Sequence, residues 1–279
     1  MACRQDPPLM VVADLDGTLL HDAPTFEERF ITQESIDAVR RMRDRGVLFA
    51  VSTARPVSTG YSLMEALRPD ACVYLNGALI DLNPSLSDSA MLISGLSPQD
   101  GHIITVGFPS SRGCEVCRML LHEIPGLRIG LVMNDVRYTN FDVSVYWKTQ
   151  VFRYTDFTDV PEGMADKIII FPLPEHASRL RRLIPDDFSI GISEGTMWML
   201  MEPRANKADS LHTLCRHFSV GIDRTATFGD DLIDIAMLRA SGWGVAVANA
   251  APQVLTVADE VCPSNNDDGV AWWMNTFIP

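Results

Sequence analysis

Apolar positions along this chain come in short unbroken blocks, each ending on polar residues. Residues 9–13 are apolar and run into Asp14-Leu15-Asp16-Gly17-Thr18-Leu19. Five apolar residues bounded by acids suit a strand buried on both faces, as in a parallel sheet, and Gly17 permits a tight turn directly after it. The block recurs. Residues 47–51 lead into Ser52-Thr53-Ala54-Arg55-Pro56, and residues 72–75 into Asn76-Gly77, a dipeptide suited to a tight turn with an exposed amide. Residues 225–228 lead into Gly229-Asp230-Asp231-Leu232-Ile233-Asp234, residues 245–247 into Ala248-Asn249-Ala250, and Val261-Cys262 reads as a last strand.

Helical spacing fills the gaps between these blocks. Over residues 32–45, Thr32 can cap a helix, Ile36, Val39 and Met42 mark its apolar face, and Gly46 ends it. Residues 58–67 and 205–218 read the same way. Strands separated by helices, each strand ending in polar residues, predict an α/β fold. Its core is a doubly wound, mainly parallel, Rossmann-like sheet whose functional groups meet at one carboxyl edge.

From about residue 82 the pattern changes, with Pro84, Ser85 and Ser87 in a loop. Helices over 113–124 and 175–183 alternate with strands over 128–132, 137–139, 167–171, 188–192 and 197–202, which predicts an α+β domain with a mainly antiparallel sheet. The expected division is a first core part at 1–81, a second domain at 82–202 and the rest of the core at 203–279. Tyr138, Tyr146, Trp147 and Trp198 could floor a pocket, but core or sheet packing is the stronger expectation for each.

Charge narrows the partners. A net charge of −13 and a pI near 4.8 argue against a nucleic-acid or anionic-membrane surface and for a small substrate. Residues 1–8 are polar and no apolar run approaches the roughly 18 residues of a membrane span, so a cytoplasmic protein is expected. The cysteines (Cys3, Cys72, Cys114, Cys117, Cys215, Cys262) are scattered and read as reduced. Cys114 and Cys117 form a C-x-x-C without a second pair, which predicts packing, not a metal site.

The candidate chemistry sits at the strand ends. Asp14 and Asp16, two apart, would project to one side of an extended chain, a crowding of like charge that a divalent cation relieves. Lys207 stands near a helix start, where a cation is unfavourable unless it faces an anion. Three acids (Asp14, Asp16, Asp230), a hydroxyl (Thr53) and a cation (Lys207) are the parts needed to hold and attack a phosphoryl group.

The motifs D-L-D-G-T-L at 14–19, S-T-A-R-P at 52–56, N-G-A at 76–78, Lys207, G-D-D-L-I-D at 229–234, A-N-A at 248–250 and D-G-V-A at 268–271 follow in order. In this the chain resembles the haloacid dehalogenase superfamily, specifically the Cof-type phosphatases with a large cap inserted after the third core strand. The resemblance implies that Asp14 is the nucleophile forming an aspartyl-phosphate, and that Asp16 protonates the leaving alcohol and then activates water. It implies that Thr53 and Lys207 hold the phosphoryl oxygens and that Arg55, Asn76, Gly77 and Asn249 serve the substrate. Magnesium would be held by the Asp14 carboxylate, the Asp16 main-chain carbonyl and Asp230, with Asp234 orienting Lys207 or a metal-bound water. The expected activity is hydrolysis of a small phosphorylated metabolite, a sugar phosphate or a phosphorylated cofactor. A phosphosugar mutase or other phosphotransferase with the same site, or a phosphometabolite-binding protein, are the alternatives. Two positions depart from the family pattern: Ala54 stands where Gly is usual, and Ile233 where Asn is usual, beside the metal. Asp231 is expected to be a solvated acid at a helix start.

Overall fold

The computed structural model describes residues 6–94, 101–193 and 195–278 of the chain, which leaves Cys3 outside the described residues. In chain order its strands are β1 (Met10–Ala13), β2 (Leu48–Ser52), β3 (Ala71–Tyr74), β4 (Leu79–Asp81), β5 (Ile103–Thr105), β6 (Phe108–Pro109), β7 (Arg128–Met133) and β8 (Val136–Thr139). They continue with β9 (Phe152–Tyr154), β10 (Met164–Ala165), β11 (Lys167–Phe171), β12 (Ser189–Ser193), β13 (Met197–Met201), β14 (Thr225–Gly229), β15 (Trp243–Val247) and β16 (Glu260–Cys262). The helices are α1 (Gln33–Asp44), α2 (Val57–Leu67), α3 (Ser89–Ser94), α4 (Ser110–Glu123), α5 (Ala177–Leu183), α6 (Lys207–Phe218), α7 (Ile235–Ala240), α8 (Pro252–Leu255) and α9 (Gly269–Phe277).

The core is an eight-stranded sheet in the order β16-β15-β14-β1-β2-β3-β4-β5, parallel from β16 to β3. β1 sits at its centre for a reason visible in its side chains. Val11 and Ala13 pack with Val39 and Met42 of α1 and Trp273 of α9, while Met10 and Val12 pack on the other face with Leu211 and Leu214 of α6 and Met237 of α7. Both faces are covered, so no position of the run could be polar. The chain winds outward from β1 to β3 in one direction and resumes from β14 to β16 in the other. The carboxyl end of β1 is therefore a topological switch point, where open α/β sheets form their crevice.

The core sheet extends further than the pattern predicts. β4 turns back antiparallel on β3, and β5 pairs antiparallel with β4, so Ile103–Thr105, inside the stretch expected to be the second domain, belongs to the core sheet. The chain leaves this sheet after residue 105, not after 81. Strands of three residues at a sheet edge carry too little periodicity to be read from sequence.

The second sheet has six strands in the order β12-β13-β11-β7-β8-β9, antiparallel except where β8 meets β9. Asn134 and Asp135, both at positive φ (51° and 61°), make the two-residue turn between β7 and β8, a backbone that these residue types tolerate. Alternation divides the faces. Ile168, Ile170, Leu200 and Leu131 pack under α4 and α5, whereas Val132, Lys167, Ile169 and Phe171 face the core domain. Among the described residues, polar contacts tie this cap to the core: Ser58 N donates to Asp135 Oδ2 (2.7 Å), Lys148 N to Glu27 Oε1 (2.9 Å), Lys167 Nζ to Ala54 O (3.4 Å) and Asn76 Nδ2 to Met199 Sδ (3.6 Å). The free cysteines 72, 114, 117, 215 and 262 are all buried, as the packing reading requires. No helix among the described residues is long and apolar enough to cross a membrane.

Candidate active site

Between the switch point and the cap lies a cavity of about 690 Å³, the size of a small-molecule site. Its floor holds Asp14, Asp16, Arg55, Asp230 and Asn249. Thr53, Asn76, Gly77, Lys207 and Asp234, which the sequence also predicts for the site, stand behind that floor and support it.

Asp14 follows β1 directly and its amide donates to Phe228 O of β14 (3.1 Å), so the sheet itself fixes its backbone. The residue is 5 % exposed. Lys207 Nζ lies 2.8 Å from Asp14 Oδ1 and 2.6 Å from Asp234 Oδ1. The anion that a lysine at a helix start requires is thus a pair of carboxylates. Asp234 is saturated: its Oδ2 accepts from the amides of Asp230 and Asp231, both at 3.1 Å. With both oxygens committed, Asp234 is a support for Lys207 and for the loop, and a poor ligand for an ion.

Asp230 takes a hydrogen bond from Thr18 Oγ1 (2.7 Å). Gly17 is required beside it: φ is +75°, and a Cβ there would stand 2.4 Å from Asp230 Oδ2. Burial, and then the neighbouring Asp234, push the Asp230 carboxyl up to about 7. Burial likewise pushes Asp14 well above the usual carboxylate range, opposed by Lys207 and reinforced by Asp234 and Asp230. Burial works against the Lys207 cation, yet Asp14 and Asp234 outweigh it and hold the ammonium above its ordinary value. Two acids kept from ionising first by burial and then by the charge of Asp234 are what a divalent cation would relieve. Oxygen atoms of Asp14, Asp230 and Asp234 lie within 4.8 Å of one another; with Asp234 committed to Lys207 and the loop amides, the Asp14 and Asp230 carboxylates are the oxygens that suit a hard cation such as Mg²⁺.

Asp16 is not on a continued strand as its spacing suggests. The backbone leaves the pleat at Leu15 in an irregular turn through Asp16 (φ −71°, ψ 123°) and Gly17. Its carboxylate meets Arg55 through a fork (Nε to Oδ2 2.7 Å, Nη2 to Oδ1 2.6 Å) and Arg29 Nη1 (3.0 Å). The Arg55 guanidinium also stacks over the Phe26 ring, 4.1 Å from its centroid. Arg55, predicted to serve the substrate, is the partner of Asp16 here.

The remaining predicted groups shape the loops. Thr53 is buried, its N–H donating to Val73 O (2.8 Å) and its Oγ1 accepting from Arg55 N (3.1 Å). The exposed amide expected at Asn76 is instead 4 % exposed, because the turn packs under β13 and its Nδ2 reaches Met199 Sδ at 3.6 Å. At Gly77 (φ +105°) a Cβ would meet Ser210 Oγ at 2.4 Å and Asn206 O at 2.9 Å, so this turn seats the start of the Lys207 helix. Asn249 links two loops, donating to Gly17 O (2.7 Å) and accepting from Asn265 N (2.9 Å). Asp231, expected to be merely solvated, caps the following turn through Leu232 N (2.7 Å). Ile233 lines the cavity and points at the cap, 3.7 Å from where a Cβ on Gly191 would lie.

The roof contributes groups that motif reasoning missed: Arg137, Lys167 and Gln150, with Tyr146, Trp147 and Phe171 beside them. Of the aromatics singled out in the sequence, Tyr146 and Trp147 reach the cavity, while Tyr138 and Trp198 are core. One signal was available for Lys167. The chain has three lysines, Lys148, Lys167 and Lys207, and Lys167 heads an otherwise apolar strand.

Fold and site together define a doubly wound α/β hydrolase whose acids, cations and capped cavity suit phosphoryl chemistry. A family profile described as haloacid dehalogenase-like hydrolase matches residues 11–274, and the chain belongs to that family. It is 28 % identical over 277 residues to the 5-amino-6-(5-phospho-D-ribitylamino)uracil phosphatase YcsE of Bacillus subtilis, covering 96 % of this chain and 95 % of that one. To YitU of the same organism, which carries the same enzyme name, it is 25 % identical over 97 % of this chain and 98 % of the relative. The fold matches that of BT1666 from Bacteroides thetaiotaomicron, a haloalkanoate-superfamily phosphatase, with a TM-score of 0.80 at 23 % identity over 99 % of this chain and 97 % of the other.

Proposed function

We propose that this hydrolase is a magnesium-dependent phosphatase that removes phosphate from a small metabolite, a sugar phosphate or phosphorylated cofactor, through an aspartyl-phosphate on Asp14. The observation that carries the reading is the Asp14 carboxylate, buried yet lining the cavity, with Lys207 fixed on one of its oxygens at 2.8 Å. A nucleophile held in one orientation by the fold meets the requirement for in-line attack.

An Asp14 oxygen forms a bond to phosphorus as the bond from phosphorus to the leaving oxygen breaks, and Asp16 delivers the proton to that oxygen. Water then attacks the phosphorus, Asp16 takes its proton, and the Asp14 carboxylate is released with inorganic phosphate. For this, Asp16 must turn its carboxylate from Arg55 and Arg29 towards the leaving group, which makes those arginines its resting position. Lys207 balances charge on Asp14 through both halves. Magnesium would be held by the Asp14 carboxylate, the Asp16 carbonyl and Asp230, and when bound it offsets negative charge on the transferring group. The cap roofs the cavity and leaves it the size of a small molecule, which favours metabolites over folded phosphoproteins. Two relatives named for a phosphorylated ribitylaminouracil support a substrate of that size.

The test is phosphate release over a panel of metabolite phosphates, with and without magnesium, beside Asp14→Asn. Magnesium-dependent release by the wild type and none by the variant is expected. Release by Asp14→Asn at near wild-type rate would overturn the reading.

A further inference from the structure

The roof of the cavity holds two cations that neither the motifs nor the mechanism above employ. Strand register brings them together: Lys167 pairs with Val132 across β11 and β7, and Val132 pairs with Arg137 across β7 and β8. The three residues form one row over the cavity, on the face opposite the cap's own core. Both cations are buried, at 5 % and 3 % exposure. Their local partners differ from those of the floor. Arg137 Nη1 donates to Asp135 O (2.8 Å) and Oδ1 (3.3 Å), and Asp135 spends its other oxygen on Ser58 N. Lys167 Nζ has only Ala54 O at 3.4 Å and Met199 Sδ at 3.8 Å, with no carboxylate in ion-pairing distance among the described residues. Beside them Gln150 is 8 % exposed and lines the cavity, and its buried Oε1 has no hydrogen-bond donor.

A buried cation without a counter-ion and a buried amide oxygen without a donor each cost free energy, and a fold keeps such groups where a ligand completes them. We propose that Lys167, Arg137 and Gln150 form a cap subsite for a second anionic group on the substrate, separate from the phosphate that is removed. Lys167 and Arg137 bind that anion, a carboxylate or a second phosphate, and Gln150 accepts from a neighbouring substrate hydroxyl or amine. The electrostatics agree. Burial, then Arg137, lower the Lys167 ammonium to about 8 despite Asp166 and Asp135 nearby, and burial pushes Asp166 itself up to about 7, which weakens it as a counter-ion. An added anion is favourable at such a place.

This inference rests on the phosphatase reading, and matched substrate pairs separate the two. Glycerol phosphate against phosphoglycerate tests a carboxylate, and a hexose monophosphate against the corresponding bisphosphate tests a second phosphate. The two-anion member of at least one pair should have a KM lower by roughly 10-fold or more. Lys167→Met should raise that KM by about 10- to 100-fold while leaving the single-anion compound and p-nitrophenyl phosphate unchanged, and Lys167→Arg should recover part of the loss. Calorimetric binding of the same pairs to Asp14→Asn reads the subsite without turnover. If both pairs bind and react alike, or if Lys167→Met weakens single-anion and two-anion compounds equally, there is no second-anion subsite. Equal weakening would place Lys167 on the transferred phosphate. If none of these compounds releases phosphate and the metabolite panel does not either, the phosphatase reading fails, while the binding comparison still decides the subsite.

Discussion

Floor and roof of the cavity each bury a lysine, and the two are treated in opposite ways. Lys207 is clamped between Asp14 and Asp234, which hold its ammonium above the ordinary value, whereas Lys167 faces a carbonyl and a sulfur and is lowered to about 8. The floor's lysine is fully paired within the protein, and what that floor lacks is positive charge beside Asp14 and Asp230. The roof is incomplete, and its deficit has the sign of an anionic ligand. A paired buried cation serves the machinery around it, and an underpaired one facing a cavity is a recognition group.

The largest expected effect breaks the floor's chemistry. Asp14→Asn should lower the rate of phosphate release by about 10³-fold or more, because no neighbouring group can replace the proposed nucleophile, while the urea midpoint stays close to the wild type. Next, Lys207→Met strands two buried carboxylates and should cost roughly 3–5 kcal/mol in urea denaturation as well as activity. An unchanged urea midpoint would mean that the clamp is not what the geometry says.

Lys167→Met should do the reverse to stability. In the unfolded chain this lysine keeps its proton up to about 10.5, and in the folded chain only up to about 8. The folded state therefore carries a penalty that is fully present below pH 8 and fades between about 8 and 10.5. The variant should be more stable by roughly 1–3 kcal/mol at pH 7, with the advantage shrinking over that window. A variant less stable at pH 7 would show that Lys167 is satisfied inside the protein. The smallest effect concerns Ile233→Asn, which puts an amide beside the acidic loop and removes a hydrocarbon from the cap contact. It should lower the magnesium concentration for half-maximal activity, by up to about 10-fold. Asp231→Ala should leave that concentration unchanged and cost about 1 kcal/mol as a lost turn cap.

Those contrasts also explain what could be read from the sequence. The buried strands of the core announce themselves as apolar runs because both faces are covered, so β1, β2 and β14 and the polar residues that follow them were legible, as was the capped helix behind Thr32. The three-residue strands β4 and β5 were not, since three residues hold no period, and with them went the extension of the core sheet to residue 105. Within the site, the strand-end motifs named the groups but not their partners. That Arg55 binds Asp16, or that Asn76 is buried under Met199, depends on which loops meet, and no spacing encodes it. Arg137 and Lys167 are far apart in sequence and become neighbours only through the register of β11, β7 and β8.

Asp14 is the residue proposed to carry the phosphoryl group between substrate and water. Acid-quenching the enzyme during turnover in magnesium, followed by mass analysis of its peptides, tests this directly. One added phosphoryl group is expected on the peptide containing Asp14, absent without magnesium and absent in Asp14→Asn. Steady phosphate release by an enzyme that is never labelled at Asp14, under conditions that trap acyl phosphates, would contradict it.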